Sequence, residues 1–424
     1  MRPIRTGAVD RCLWGDPPAP AGPAAPPPAP VDVAIVGGGY TGLAAARALA
    51  RHGARVAVLE RHGIGWGASS RNGGFVLPGF QRGLAELTAR VGERRARELF
   101  EWSREAVGSL EALLAAEAIE CGYTRCGSVQ LAARAGHLAA LDAERRCLER
   151  VAGHATELLG PEGVRREIGS RAYHGGLVDP AAGALHPGRY CAGLAAAAER
   201  AGATLHPGTE VTAIRRAAGG FELGTPAGPW RAAEVLVATD GYTGPPFARL
   251  RRRVIPVGSY LVATAPLEPA LAARLVPGGR VLSDTRHLLY YFRLSPDGRM
   301  MFGGRTSMTP LGTARAARTL GGAMREVFPE LAATPVDFAW SGSVGFTLDR
   351  LPHAGRLDGV HYALGYCGHG VALATWLGGR MGEALAGRGT IPDLGPLRAV
   401  PLYGGRPWFL PIVDVYYRVR DRIG

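Results

Sequence analysis

The chain of 424 residues contains no lysine, so all 49 basic side chains are arginine. Against 36 acids they leave a formal charge of +13, an excess that invites a polyanionic partner. The arginines, however, run along the whole chain. Their densest group, Arg249 to Arg253, reads as a solvated loop rather than a groove-lining stripe, and no nucleic-acid partner is expected. A run of ~18 apolar residues is also missing, so no segment spans a membrane. The first thirty residues lack the apolar centre of a secretion signal, and a cytoplasmic location is expected. Cysteine is sparse and scattered, at positions 12, 121, 126, 147, 191 and 367. Cys121 and Cys126 have no second pair at zinc spacing, so no metal is expected. There are no internal repeats. What remains is a chain with 47% hydrophobic residues, long enough for two packed domains.

The first informative stretch is VDVAIVGGGYTGLAAARALARHGARVAVLE, Val31 to Glu60. VDVAIV is a buried parallel strand by composition. Gly37, Gly39 and Gly42 follow at G-x-G-x-x-G spacing, and an alanine-rich helix runs on to a stop at Gly53. ARVAVLE is the next strand and ends on Glu60. Gly37 permits the tight turn, Gly39 lets backbone approach a pyrophosphate, and Gly42 lets helix and strand pack closely. Tyr40 and Thr41 open the helix, whose free N–H groups and dipole favour phosphate. Glu60 can accept from both ribose hydroxyls, and its charge disfavours a 2′-phosphate. This unit binds an ADP moiety and leaves NAD and FAD open.

A second glycine-rich stretch, GIGWGASSRNGG (Gly63 to Gly74), comes where a nicotinamide dehydrogenase would continue with a helix and a third strand. It is too glycine-rich for a helix. Such a loop suits a ligand that extends past the pyrophosphate, as a ribityl chain and isoalloxazine ring do. Contacts are expected from Arg61 and Trp66, from Ala68, Ser69 and Ser70, and from Arg71, Asn72, Gly73 and Gly74. Ser69, Ser70 and Asn72 can hydrogen-bond polyol or ring atoms. Arg71 can meet a phosphate, a flavin carbonyl or a substrate anion.

GGGYTG, Glu60 and GWGASSRNGG together resemble the D-amino-acid-oxidase-like (DAO) family of FAD-dependent oxidoreductases, closest to its gamma-glutamylputrescine oxidoreductase branch. Gly183 to Ile214 resembles that family's return to the FAD unit, with Val211 near the adenine. VLVATDGYTG resembles the turn that closes over the cofactor, adding Thr239, Asp240 and Gly241. GFTLDRLPHAG and YALGYCGHGVALATWLGGRMGEAL resemble the C-terminal flavin signature, adding Gly365, Tyr366, Gly368, His369, Gly370 and Val371. CLWGD and the last residues, from Tyr403, also have the look of this branch. The C-terminal signature reads as strand, glycine turn and helix. The resemblance aims that helix at the flavin's pyrimidine edge, where its dipole stabilises charge on reduction.

The implied fold is α/β: a discontinuous Rossmann-like FAD domain (31–84, 172–250 and 341–395) with an α+β substrate domain on a mixed, largely antiparallel sheet (85–171 and 251–340). A Pro/Ala-rich arm (1–30) and a C-terminal extension (396–424) flank them. The DG of SPDGR signals a hairpin.

The resemblance implies oxidation of a C–N bond in a primary or secondary amine, a gamma-glutamylated polyamine among the candidates. A hydride goes to flavin N5 and the imine then hydrolyses. His369 and Arg71, with Tyr290, Tyr291 and Arg305 on the hairpin arms, are the catalytic candidates. The electron acceptor is O2 or another oxidant. WSGSVGFTLD holds no cysteine and SSRNGG no histidine for covalent attachment, so FAD is expected to be non-covalent. The helix that carries a carboxylate-gripping lysine in sarcosine oxidases begins VALA here. That leaves arginine as the only strong cation and disfavours a simple N-methyl amino acid. An amino-acid oxidase, an acceptor-linked dehydrogenase and, more distantly, a tRNA-modifying flavoprotein stay open as alternatives.

Overall fold

The computed structural model describes residues 9–26, 29–305, 308 and 312–423. Residues 1–8 and 27–28 of the expected arm lie outside them. The strand β1 (Val31–Val36) pairs in parallel on both sides, with β2 (Val56–Leu59) and with Gly228–Val237. A strand enclosed on both edges, covered by helices on one face and by the core around Phe221, Leu223 and Trp230 on the other, has no solvent face, which is why its sequence is nearly continuous in apolar residues. The helix α1 (Tyr40–Arg51) makes the crossover from β1 to β2. Thr204–His206 extends the parallel sheet beyond β2, and Val360–Leu364 extends it beyond Gly228–Val237. His353–Leu357 closes that edge antiparallel. α1 lies against the helix Gly370–Leu385 at close range. A Cβ on Gly378 would stand 2.3 Å from the Thr41 carbonyl oxygen, and one on Gly382 would stand 2.6 Å from Ala48 Cβ.

The second sheet has eight strands, in the order 336–346, 255–264, 300–304, 290–294, 281–284, 128–131, 176–179, 157–159. All its pairings are antiparallel except 281–284 with 128–131. The hairpin Tyr290–Leu294/Met300–Gly304 turns at Asp297-Gly298, with Gly298 at φ +75. One face of this sheet packs Phe292, Phe302 and Phe328 beneath the helix Thr313–Val327. Part of the other face bounds the main cavity.

The boundaries differ from the expected ones in three places. Gly176–Asp179, assigned by sequence to the FAD unit, lies in the second sheet, held antiparallel between 128–131 and 157–159. The strand Val336–Phe346 pairs along its whole length with Ile255–Thr264, so the crossing point falls after 346 rather than at 341. The helices Leu84–Val91 and Glu93–Ala116, assigned to the substrate unit, share a core with α1 and Gly370–Leu385. Trp102 sits 6.1 Å from Trp376 there. In each case local pattern identified the element, but only pairing and packing decide which body it joins.

Part of the N-terminal arm, from Cys12 to Pro18, is a docked strap. Cys12 and Trp14 are buried with Leu261, Met301 and Trp340, and Pro17 and Pro18 lie over Gly63. The glycine-rich loop also contains one helical turn, Ala68–Arg71, closed by the Ser70 amide donating to the Gly65 carbonyl. Small side chains at 68–70 permit that turn despite the neighbouring glycines. The last segment forms the helix Leu410–Ile423.

Candidate active site

One cavity of about 930 Å³ runs between the two sheets. Its cofactor end is made of backbone. Gly37 turns at φ +113 with its Cα against the Ala238 carbonyl, and a Cβ on Gly42 would lie 2.0 Å from the Gly37 carbonyl oxygen. The turn thus closes onto the helix with no room for a methyl group. Tyr40 N–H donates to Ser69 Oγ at 2.9 Å, which ties the two glycine loops together. The next amides, at Thr41 and Gly42, have no carbonyl one turn back by helix geometry. Glu60, at the end of β2, accepts from the Gly38 and His62 amides, both at 2.8 Å, and is thereby oriented along the cavity wall. Arg61, Trp66, Ala68, Gly73, Val211 and Thr239 continue this lining.

Asp240 is a clamp. Its carboxylate accepts from Gly365 N–H at 2.7 Å and Gly345 N–H at 3.2 Å, joining three chain segments. Burial raises its pKa, and the surrounding amides oppose that rise. Thr41 Oγ1 lies 2.7 Å from Tyr366 Oη, locking α1 to the C-terminal signature. Gly368, His369, Gly370 and Val371 line the cavity at the start of the helix Gly370–Leu385.

Several expected contacts lie off the cavity. Ser70 Oγ donates to the Gly65 carbonyl at 2.6 Å, because one helical step turns it away from the side Ser69 faces. Gly42, Gly74, Gly241 and Gly365 shape the loops without lining the space. Gly74 N–H donates to Asn72 Oδ1, and Asn72 Nδ2 donates to the Ala68 and Ser69 carbonyls, so that side chain serves its own loop.

Of the catalytic candidates, Tyr291, Arg305 and His369 come together at the other end, and Tyr290 does not. Strand alternation puts Tyr290 on the opposite face, 5.3 Å from the Phe302 ring in the second core. Tyr291 Oη lies 3.0 Å from Ser259 Oγ, and burial pushes its pKa up to about 12. Arg305 stacks 4.7 Å from the centre of the Phe346 ring. Among the described residues it makes no hydrogen bond or ion pair. Burial pulls its pKa down, and no acid among the described residues pairs with it. His369 Nδ1 is buried without a partner, and burial, then the Arg305 charge, lowers its pKa to about 4. The imidazole is therefore neutral at ordinary pH.

Arg71 lines the cavity, but its guanidinium is committed. Nε donates to the Trp66 carbonyl at 2.9 Å, the terminal nitrogen pairs with Asp16 at 2.6 Å, and the group lies over the Trp66 ring. It is a strut of the loop, and one edge of its guanidinium is spent on that role. The parts that sequence reading missed are those supporting this loop. Trp14 Nε1 donates to the Asn72 carbonyl at 2.7 Å, and Trp340 Nε1 to the Arg71 carbonyl at 3.0 Å. Ser259 is the other omission. CLWGD held the signal for Trp14 and Asp16; nothing local singled out Trp340 or Ser259.

These residues fit FAD. Backbone donors stand where a pyrophosphate needs them, an oriented acid ends the second strand, and an unpartnered imidazole nitrogen waits at the far end of the same cavity. The family model for the DAO FAD-dependent oxidoreductases matches residues 32–384. The chain is 33% identical over 399 residues to the gamma-glutamylputrescine oxidoreductase of Escherichia coli K12, covering 93% of each chain. It is 35% identical over 403 residues, or 92% of each chain, to a probable oxidoreductase of Rhizobium meliloti. Its fold is similar to the crystal structure of glycine oxidase from Geobacillus kaustophilus, with a TM-score of 0.73 at 24% identity, over 88% of this chain and 99% of that one. Two packed sheets sharing one cavity, with a dinucleotide-binding turn at one end, together with these matches make it a flavin-dependent oxidoreductase. The chain belongs to the DAO family of FAD-dependent oxidoreductases.

Proposed function

We propose that this enzyme oxidises a C–N bond in a primary or secondary amine that also carries a carboxylate, with a gamma-glutamylated polyamine the preferred candidate. The observation that carries this reading is Arg305, a half-buried cation facing the cavity with no acid paired to it among the described residues. A buried charge without a partner is costly, and a substrate carboxylate would relieve that cost. His369, neutral above about pH 4, can accept a hydrogen bond from the amine N–H and so favours the uncharged amine that must react. Tyr291 and Ser259 bound the same space and fix the substrate's position. Bound FAD supplies the two-electron acceptor for the hydride. Loss of the hydride and one proton from CH–NH gives an imine, which water hydrolyses to a carbonyl compound and a free amine. The E. coli relative is named for gamma-glutamylputrescine, and this chain's resemblance to it motivates the particular substrate.

FAD is proposed to be held without a covalent bond. The cysteine nearest the reacting end, Cys367, donates to the Gly365 carbonyl at 3.1 Å, and burial raises its pKa to about 12, so it offers no thiolate.

The test is an anaerobic titration of the purified yellow protein with gamma-glutamylputrescine, putrescine, glycine and N-methylglycine, followed by air and by acid precipitation. Bleaching by gamma-glutamylputrescine but not putrescine, with flavin released into the acid supernatant, is the expected result. Equal bleaching by putrescine would remove the role given to Arg305. Bleaching by glycine alone would favour an amino-acid oxidase, and flavin retained in the pellet would overturn the non-covalent reading.

A further inference from the structure

The helix Leu410–Ile423 has two apolar stripes. Leu410, Val413 and Tyr417 face the body, packing with Val257, Leu288 and Met308. Ile412, Val415, Tyr416, Val419 and Ile423 face outward, exposed by 66, 62, 55, 46 and 76%. Their spacing is that of one continuous helix face. Trp408 and Leu402, just upstream, are 59 and 87% exposed. These seven account for most of the nine large apolar side chains exposed among the described residues.

The charge around this face has one sign. Arg406, Arg418, Arg420 and Arg422 are exposed. The two acids of the helix turn inward: Asp414 accepts from Met308 N–H at 2.8 Å, and Asp421 from His287 and Leu288 N–H at 2.8 and 3.0 Å. Only Arg418 spends charge on the helix itself, pairing with Asp414.

We propose that this face docks the enzyme onto an anionic membrane surface, with the helix lying in the plane of the headgroups. An outward apolar stripe flanked by arginine, with an exposed tryptophan at one end, is the chemistry an interfacial helix needs. A second copy of the chain fits less well. A two-fold contact through the stripe sets like surfaces against each other, and here it would bring the arginines of both copies together. Docking has a consequence for the cavity. Arg420 and Asp421 line a niche with His137, Arg286 and His287, and those last three residues also line the substrate end of the main cavity. The membrane would therefore lie beside the route by which substrate enters.

The experiment is co-sedimentation of the FAD-loaded full chain with vesicles of phosphatidylcholine alone and of equimolar phosphatidylcholine and phosphatidylglycerol. Binding to the anionic vesicles at low salt is expected to exceed binding to the neutral ones by ~10-fold or more and to fall as salt is raised. The V415S/V419S pair is expected to weaken binding by ~10-fold through lost apolar burial. The R406Q/R422Q pair weakens it several-fold and flattens the salt dependence. Both pairs keep their flavin spectrum and their amine oxidation in solution. The arginine pair decides the matter if the apolar pair fails to fold. A wild-type protein that stays in the supernatant with anionic vesicles would overturn the proposal, as would binding indifferent to the arginine pair. So would a wild-type dimer in sedimentation velocity that the apolar pair splits, since the face would then belong to a second copy.

Discussion

The two ends of the cavity are built from different materials. At the cofactor end the working surface is backbone: amides at the start of α1, the Gly37 turn, and loops held by Ser69, Asp240 and Glu60. At the substrate end it is side chains: Tyr291 and Arg305 from the second sheet, with His369 from the loop before Gly370. Backbone binding depends on atoms approaching closely, so a single added methyl group is felt at once. Side-chain binding depends on which face a residue occupies, so an exchange there changes what binds while leaving the scaffold intact.

Substitutions at each end should separate these two modes. Gly42→Ala would put a methyl group 2.0 Å from the Gly37 carbonyl oxygen. Overpacking costs about 1–3 kcal/mol, and this clash stands at the top of that range or above it. FAD affinity is expected to fall ~100-fold or more, and activity goes with it; fluorescence titration of the apoprotein with FAD measures the loss. Arg305→Met should keep the flavin spectrum but lower kcat/KM for a carboxylate-bearing amine by about 100-fold, near 3 kcal/mol. An amine without a carboxylate should change far less. Equal losses for both would mean that Arg305 serves the fold and not the substrate. Tyr291→Phe removes the bond to Ser259 Oγ and is expected to lower kcat/KM several-fold, about 1 kcal/mol. Tyr290→Phe, on the other face, should change it by less than ~2-fold.

A separate effect concerns pH. His369 has a pKa of about 4 in the folded chain, against 6.5 ordinarily. As pH falls below 6.5 the unfolded chain binds this proton first, so stability is lost progressively down to about pH 4 and is fully present above 6.5. Thermal melts of the FAD-loaded enzyme at pH 7 and pH 5 should show a larger fall in Tm for the wild type than for His369→Gln. A kcat profile with no inflection near 6.5 is expected as well, because the imidazole stays neutral there.

The cofactor end was the more legible one in the sequence because its signal is local. Glycines at 37, 39 and 42 lie within one turn, between a strand and a helix that each announce themselves by composition. The family resemblance carried the C-terminal signature with it. The substrate end was legible only in part. Tyr290 and Tyr291 are adjacent and alike, and alternation says that only one faces the cavity without saying which. Ser69 and Ser70 pose the same problem within one helical turn. The pairing of Arg71 was hidden for a different reason: the carboxylate that holds it, Asp16, lies 55 residues away in what composition marks as a loose arm. Asp240 was chosen as a cofactor contact; its role as a clamp depends on Gly345 and Gly365, more than a hundred residues further on.

The strap formed by Cys12, Trp14 and Asp16 also bears on the order of assembly. It precedes the loop at 66–72 in the chain and braces it, while Trp14 itself packs against Trp340, more than three hundred residues further on. The parallel sheet is likewise incomplete until Val360–Leu364 and His353–Leu357 join it. The loop at 66–72 therefore has a finished floor only once the chain through Trp340 has folded against it.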